Sequence, residues 1–426
     1  MIAIKEPQRL LKERTAEGMD DQERAEILGI LNAVRREGDA ALRRLTAQFD
    51  RVQLQELRLS YEEMDEALHH VSEDFIMALR RAARRIYTYH EKQTFHSSLI
   101  TEEDGTVLGQ LVRPLERIGV YIPGGRAAYP STVLMTVIPA RVAGVSEIVM
   151  MTPPGPEGKV DPSILVAAQE AGVTEIWKVG GAQAIGALAY GTESIRKVDK
   201  IVGPGNRYVA LAKREVYGQV DIDMIAGPSE VVIIADESAD PAFVAADLLA
   251  QAEHDPLASA ILLTTCKKMA TQVIQELKFQ YRDLKRRQIV EASLQKQGAI
   301  CITTDLDEAI DTANQLAPEH LQLMVKQPWN WVGKIKNAGA IFLGTHSPEA
   351  IGDYIAGPSH VLPTNGTARF FSPLGVDDFI KKSSLIAYSK EGFQRDGAAV
   401  MLLAEKEGLD AHAASIRARL QQRRGN

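Results

Sequence analysis

Cysteine is almost absent. The 426 residues hold two, Cys266 and Cys301, each beside an apolar run that reads as a strand. That excludes a disulfide framework and any metal site built from thiolates alone. No run reaches the roughly 18 apolar residues that a membrane helix needs. The richest stretch, "STVLMTVIPARVAGV", is interrupted by Pro139 and Arg141. Basic excess is missing too: the formal net charge is −7, which leaves no electrostatic footprint for nucleic acid. The basic "RARLQQRRGN" reads as a solvated helix end. "MIAIKEPQRL" lacks the apolar centre of a secretory leader, so a reducing cytoplasm is the expected setting.

What is present is ordinary globular composition over a length that suits about two or three domains. The first third reads helical. Residues 21–36 carry apolar positions at helical spacing, Ser60 with Glu63 forms a capping box, and 73–93 is a long amphipathic run. From "RIGVYIPGG" onward the period changes. The runs "EIVMM", "EIWKVG", "DKIVG", "EVVIIAD", "AILLTT" and "AICIT" alternate with helical stretches, two of them started by Asp161-Pro162 and Asp240-Pro241. This is the rhythm of parallel, doubly wound sheets, and it runs too long for one sheet. "DMIAGPSE" at 223–230 is the best internal boundary, with another near "PLERIGVY". The last fifty residues return to helix, with one strand-like piece, "SSLIAYS".

Three glycine turns follow strands: "YIPGGRAAYPS", "KVGGAQAIGALAYGT" and "KIVGPGNRYVALAK". Backbone N–H groups at such strand–helix turns can face a phosphate. One turn alone is weak, because glycine also serves ordinary turn geometry. Three together would line one crevice at the carboxyl edge of a sheet, which points to a phosphate- or nucleotide-bearing ligand.

"LLAQAEHDP" puts Gln251 and His254 on one helical arc with Phe243, Val244 and Leu248, facing the core. Asp247 shares that arc and could hold the far nitrogen of His254. A satisfied polar pair in the core is the plainer reading. Other segments shift the balance toward a metal. "GDYIAGPSHVLPT" places Asp353 and His360 in a Gly- and Pro-rich loop, "APEHLQL" sets Glu319 beside His320, and "EKEGLDAH" carries Glu407 at a helix end and His412 in the next first turn. Imidazole, carboxylate and amide oxygen without thiolate suit Zn²⁺ in an open site, with Mn²⁺ or Co²⁺ as alternatives. The Glu319–His320 pair suits proton transfer and water activation.

Taken with these residues, the chain resembles the histidinol dehydrogenase family from about residue 20 to residue 420. The motifs that carry the resemblance are "YIPGG", "YPSTVLM", "VGGAQAIGALAYGT", "GPGN", "AGPSE", "QAEHD", "APEHL", "GDYIAGPSHVLPT" and "EGLDAH". The resemblance implies oxidation of L-histidinol to L-histidine through the aldehyde with two NAD⁺. It implies one Zn²⁺ per subunit, bound by Gln251, His254, Asp353 and His412, with His412 supplied across a homodimer. Glu319 and His320 become the acid–base pair. Ser229, His360 and Glu407 join the metal ligands and His320 as substrate contacts, and Tyr121, Gln183 and Asn206 contact NAD.

The implied architecture is α/β, with two incomplete Rossmann-like domains and helical end segments. Residues 1–20 would form an arm, 21–118 with 230–373 the metal-bearing domain, 119–229 the NAD-binding domain, and 374–426 a segment reaching the partner subunit. Three rivals remain. A dehydrogenase of another amino alcohol or of a hydroxy sulfonate would share the scaffold, but a sulfonate calls for an Arg or Lys clamp that these positions lack. A metal-dependent hydrolase would need no nucleotide. A two-domain binding protein gives no reason for an adjacent Glu-His pair.

Overall fold

The computed structural model describes residues 2–13, 21–124 and 128–421. Its strands are β1 (Ala3–Ile4), β2 (Ser98–Thr101), β3 (Val107–Pro114), β4 (Arg117–Tyr121), β5 (Glu147–Met151), β6 (Glu175–Trp177) and β7 (Lys200–Val202). They continue as β8 (Asp221–Ile222), β9 (Glu230–Ala235), β10 (Ser259–Thr264), β11 (Ala299–Ile302), β12 (His320–Met324), β13 (Ala340–Leu343) and β14 (Ile380–Ala387).

Two parallel sheets form. One has the order β6-β5-β4-β7-β8; the other has β1-β11-β10-β9-β12-β13. In each, the chain starts at a central strand, winds outward on one side, then returns to wind outward on the other. The reversal falls between β4 and β7 in the first sheet and between β9 and β12 in the second. Such switch points open a crevice between neighbouring loops. The expected α/β class, with two Rossmann-like sheets, is what the chain adopts.

Continuous apolar strands make this possible, because both faces of each sheet are covered. Val231, Ile233 and Leu262 pack into one cluster, and Val232, Ile234, Ile261 and Leu263 into another on the opposite face. In the five-stranded sheet Ile118, Val120, Ile148 and Met150 face one cluster, and Val149 and Met151 the other. Ala3 and Ile4 pair with Ala299 and Ile300, so the N-terminal arm adds an edge strand to the six-stranded sheet.

Helix starts follow their sequence signals. Ser60 and Glu63 make the reciprocal capping box, and Asp161 and Asp240 cap helices whose first residue is proline. The helices of the first third differ from expectation in what they cover. Residues 21–37 and 39–49 bury Ile27, Leu31, Val34 and Leu42 with the five-stranded sheet, and Leu79 and Ile86 of helix 73–90 pack on its opposite side. The expected grouping put 21–118 with the six-stranded sheet. The five-stranded sheet has only the helices 130–143, 162–171, 181–190 and 207–216 of its own, so these N-terminal helices complete its outer layer.

The chain divides into two compact units, residues 1–93 with 115–379, and residues 94–114 with 380–426. The second holds the antiparallel sheet β14-β3-β2 and the helices 390–406 and 410–421. Strands β2 and β3 lie where the sequence read helical or unassigned. "TEEDGTV" was a hairpin signal: Gly105 has φ +83° and its N–H bonds the Glu102 carbonyl at 2.9 Å. No helix among the described residues is long and apolar enough to cross a membrane.

Candidate active site

The metal-type residues gather at the amino edge of the six-stranded sheet, beside the β9/β12 switch point. The helix after β9 and the helix after β13 both run back toward that edge, so their last turns deliver side chains to it. Gln251 sits in the last turn of helix 241–252, fully buried, and neither its Oε1 nor its Nε2 has a hydrogen-bond partner. An orphaned buried amide costs about 1–3 kcal/mol, which a ligand can recover.

His254 was expected on the buried arc with Gln251. The helix instead stops at Ala252, three residues ahead of the Asp255-Pro256 pair that disfavours helix, and His254 lies exposed in the turn beyond. Desolvation by the surrounding protein nevertheless holds its pKa below the usual value, against the opposing charge of Asp353. Phe243 is likewise outside the core, at 48% exposure. Asp247 does not serve His254: its Oδ2 accepts from Gln322 Nε2 at 2.7 Å.

Asp353 stands in the last turn of the short helix 349–354 rather than in a loop. It shares a helical face with Glu349, and ligand atoms of His254, Glu349 and Asp353 all fall within 4.8 Å of one another. Glu349 was not anticipated. Its i,i+4 spacing to Asp353 was the available signal.

Glu319 directly precedes β12 and His320 opens it, after a tight turn at Ala317, whose φ is +47°. Both side chains are buried and converge, with His320 Nδ1 3.6 Å from Glu319 Oε2 and 3.9 Å from Glu349 Oε1. The Glu230 carbonyl lies 3.0 Å from His320 Nδ1 and can only accept, so Nδ1 carries the proton. Nε2 is buried without a hydrogen-bond partner, 3.7 Å from Asp353 Oδ1. Burial disfavours the charged ring, but the carboxylates of Glu349, Glu319 and Asp353 outweigh it and raise the pKa well above the usual histidine range. Glu319 Oε2 accepts the Glu230 backbone N–H at 2.8 Å, yet burial pushes the carboxyl up to about 7. Gly339 is required here, since a Cβ would stand 2.6 Å from the Glu319 carbonyl oxygen.

A cavity of 670 Å³ opens in front of these groups, lined by His320, Asp353, His360, Phe342 and Tyr89 among others. His360 has both ring nitrogens engaged: Nδ1 donates to the Asp353 carbonyl at 2.9 Å, and the Thr132 hydroxyl donates to Nε2 at 3.1 Å. Ser229 is half-buried directly before β9. Glu407 and His412 belong to the second unit, Glu407 capping helix 390–406 and His412 in the first turn of helix 410–421, both exposed.

The nucleotide candidates meet at the carboxyl edge of the five-stranded sheet. Tyr121 ends β4, and its hydroxyl accepts the Gly181 N–H at 3.0 Å. Gln183 is buried in the first turn of helix 181–190, with Oε1 unpartnered. Asn206 caps helix 207–216 by accepting from the Val209 N–H. The three glycine turns follow β4, β6 and β7; Gly124 and Gly180 both pack on Pro153, in the loop after β5. Gly125, Arg126 and Ala127 of the first turn lie outside the described residues.

Comparison with known proteins gives one answer. Residues 13–420 match the family model described as histidinol dehydrogenase. The chain is 57% identical over 397 residues to histidinol dehydrogenase from Moorella thermoacetica, covering 93% of this chain and 94% of that one. It is 54% identical over 401 residues to the enzyme from Listeria monocytogenes, covering 94% of each. The crystal structure of histidinol dehydrogenase from Elizabethkingia anophelis superposes with a TM-score of 0.93 at 40% identity, covering 99% of this chain and 98% of that one. The chain belongs to the histidinol dehydrogenase family.

Proposed function

We propose that this chain oxidises L-histidinol to L-histidine in two NAD⁺-dependent hydride transfers, through L-histidinaldehyde. The observation that carries the reading is the cluster of His254, Glu349 and Asp353 ligand atoms within 4.8 Å of one another, with His320 Nε2 3.7 Å from Asp353 Oδ1 and Glu319 Oε2 3.6 Å from His320 Nδ1; the orphaned Gln251 amide lies three residues before His254. Amide oxygen, imidazole and carboxylate are a donor set that fits Zn²⁺. In this reading Gln251, His254 and Asp353 hold one zinc per chain, with His412 of the partner subunit as fourth ligand. Zinc so held would supply a chelation point for the imidazole and amine of the substrate, fixing the alcohol near the reacting groups.

Tyr121, Gln183 and Asn206 bind NAD⁺, which accepts the hydrides. His320, with its Nδ1 proton held by the Glu230 carbonyl, presents Nε2 to the alcohol; a cation held by Asp353 and His254 would offset the carboxylate charge that raises its pKa and leave Nε2 free to take the alcohol proton as the first hydride leaves. Glu319 then holds and deprotonates the water that adds to the aldehyde, and the hydrate gives up the second hydride to a second NAD⁺. A cysteine route to the acid is disfavoured, because Cys301 is buried in β11 and its thiol is pushed up to about 12 by burial. Ser229, His360 and Glu407 complete the substrate contacts, His360 at the cost of one of its present partners. Acidic and neutral groups around the cavity suit a cationic amino alcohol better than a sulfonate.

A homodimer is part of the reading. The second unit exposes the apolar side chains of Leu99, Ile100, Ile386, Leu402 and Leu403, which contact with a second copy would cover. The unpaired cysteines fit a cytoplasmic setting. Metal analysis of the purified protein tests the ligand set. One zinc per chain, lost in both His254→Ala and Asp353→Ala, is expected; zinc retained in both variants would sink the assignment.

A further inference from the structure

The N-terminal helices bring one carboxylate to the nucleotide edge that no sequence motif marked. Helix 39–49 starts beside the far end of helix 181–190: the Asp39 N–H donates to Glu193 Oε2 at 2.7 Å, and Ser194 Oγ donates to Asp39 Oδ1 at 2.9 Å. The two helices pack through Leu42, Leu45, Ala182 and Ile185. At about 1.5 Å per residue they are nearly equal in length. Helix 39–49 therefore returns the chain to the amino end of helix 181–190, where Asp50 caps it.

From there the chain keeps to the carboxyl edge of the sheet. Val52 and Leu54 lie against Gly158 in the loop after β5, and the Leu57 carbonyl accepts the Lys178 N–H at 2.7 Å. Asp50 is thus set near Tyr121, whose phenol feels its charge and whose hydroxyl accepts the Gly181 N–H. Its Oδ2 is buried with no hydrogen-bond partner, and Arg51 beside it holds φ at +59°, a conformation that non-glycine residues rarely adopt. Burial pushes the Asp50 carboxyl up to about 6. It also pushes the Tyr121 phenol up to about 12, with the Asp50 charge adding to the effect. Two acceptors are thereby left unpaired at one helix end, Asp50 Oδ2 and Gln183 Oε1. Both call for a ligand that donates hydrogen bonds. On a dinucleotide those donors are the ribose hydroxyls and the nicotinamide or adenine amino groups.

We propose that Asp50 accepts a hydrogen bond from a ribose hydroxyl of the bound dinucleotide and that its charge turns away a 2′-phosphate. The inference rests on the NAD reading above. It gives the N-terminal helices a part in cofactor choice, since the buried Asp223 that follows β8 is already bound to Lys213 and the Gly203 N–H. A carboxylate that reads the 2′-hydroxyl is how parallel sheets of this type separate NAD from its phosphorylated form.

The test is calorimetric titration of full-length wild type, Asp50→Asn and Asp50→Ala with NAD⁺ and with NADP⁺. The asparagine variant replaces an unpartnered buried oxygen by a neutral group of the same shape, so it should fold, and thermal melting checks both variants. Losing a charged hydrogen bond should weaken NAD⁺ binding about tenfold or more. The preference for NAD⁺ over NADP⁺ should shrink by a further factor in both variants, which a merely structural role would not produce. Folded variants with NAD⁺ affinity and cofactor preference within twofold of wild type would overturn the inference. Wild-type protein that binds neither nucleotide would overturn the NAD reading and this inference with it.

Discussion

Glu319→Gln separates the two oxidations. The glutamate Oε2 accepts the Glu230 N–H at 2.8 Å, and a glutamine oxygen can take that place at the same volume. Structure at the site should therefore survive. Burial already drives this carboxyl up to about 7, so a neutral amide suits the environment, and the melting temperature should not fall. What disappears is the base that deprotonates the attacking water. Positioned proton transfer contributes roughly 10²–10⁴-fold, so aldehyde oxidation should slow by about that factor. Alcohol oxidation relies on His320 Nε2, which Glu319 does not touch directly, since its contact is to the Nδ1 side at 3.6 Å. That half-reaction should change by less than about tenfold. The assay supplies L-histidinaldehyde with either NAD⁺ or NADH. Oxidation to the acid should collapse, while reduction to the alcohol stays near the wild-type rate. Acid formation at the wild-type rate would refute the water-activating role.

Gln251→Leu exchanges an orphaned amide for an apolar side chain, so the metal-free protein should gain roughly 1–3 kcal/mol while zinc affinity collapses; melting in chelator and a zinc titration check the two halves. Gly203→Ala should cost about 2 kcal/mol or more and weaken NAD⁺ binding, because Gly203 has φ +109° and a Cβ would sit 2.3 Å from the Tyr121 carbonyl oxygen. Urea unfolding gives the first effect and calorimetry the second. Asp50 supplies a pH signature. Its folded pKa, about 6, lies above the ordinary 3.8, so the folded state binds the proton more tightly, and the stability this contributes is present at low pH and lost as pH rises through 6. The melting-temperature difference between wild type and Asp50→Asn should accordingly move against wild type from pH 4 to pH 7, and a flat difference would contradict the burial argument.

The sheets were legible because their strands are short apolar runs set off by proline- and glycine-marked helix ends, and these signals are local. Asp161 and Asp240 cap as their Asp-Pro pairs predict, and Gln251 is buried as its helical arc requires. Partnership was not local. Asp247 lies on the expected helical arc but binds Gln322, a residue of strand β12 that no periodicity could pair with it. His254 passed for a buried position because the arc was extended two residues beyond the true helix end. The hairpin β2–β3 was hidden by weak alternation, although Asp104-Gly105 marked its turn. Helices 21–49 carry a clear apolar stripe, but the stripe does not say which sheet it will cover. Glu349 and Asp50 went unread for the same reason: a lone carboxylate in sequence looks like surface until the fold buries it, wholly for Glu349 and at Oδ2 for Asp50.

The most direct measurement is the stoichiometry of NADH formed per L-histidinol consumed, taken with the protein as purified, after chelation, and after zinc is restored. The account predicts two NADH per histidinol, activity lost with the metal, and recovery with Zn²⁺. One NADH with free aldehyde as the final product, or full activity in a verified metal-free protein, would contradict it.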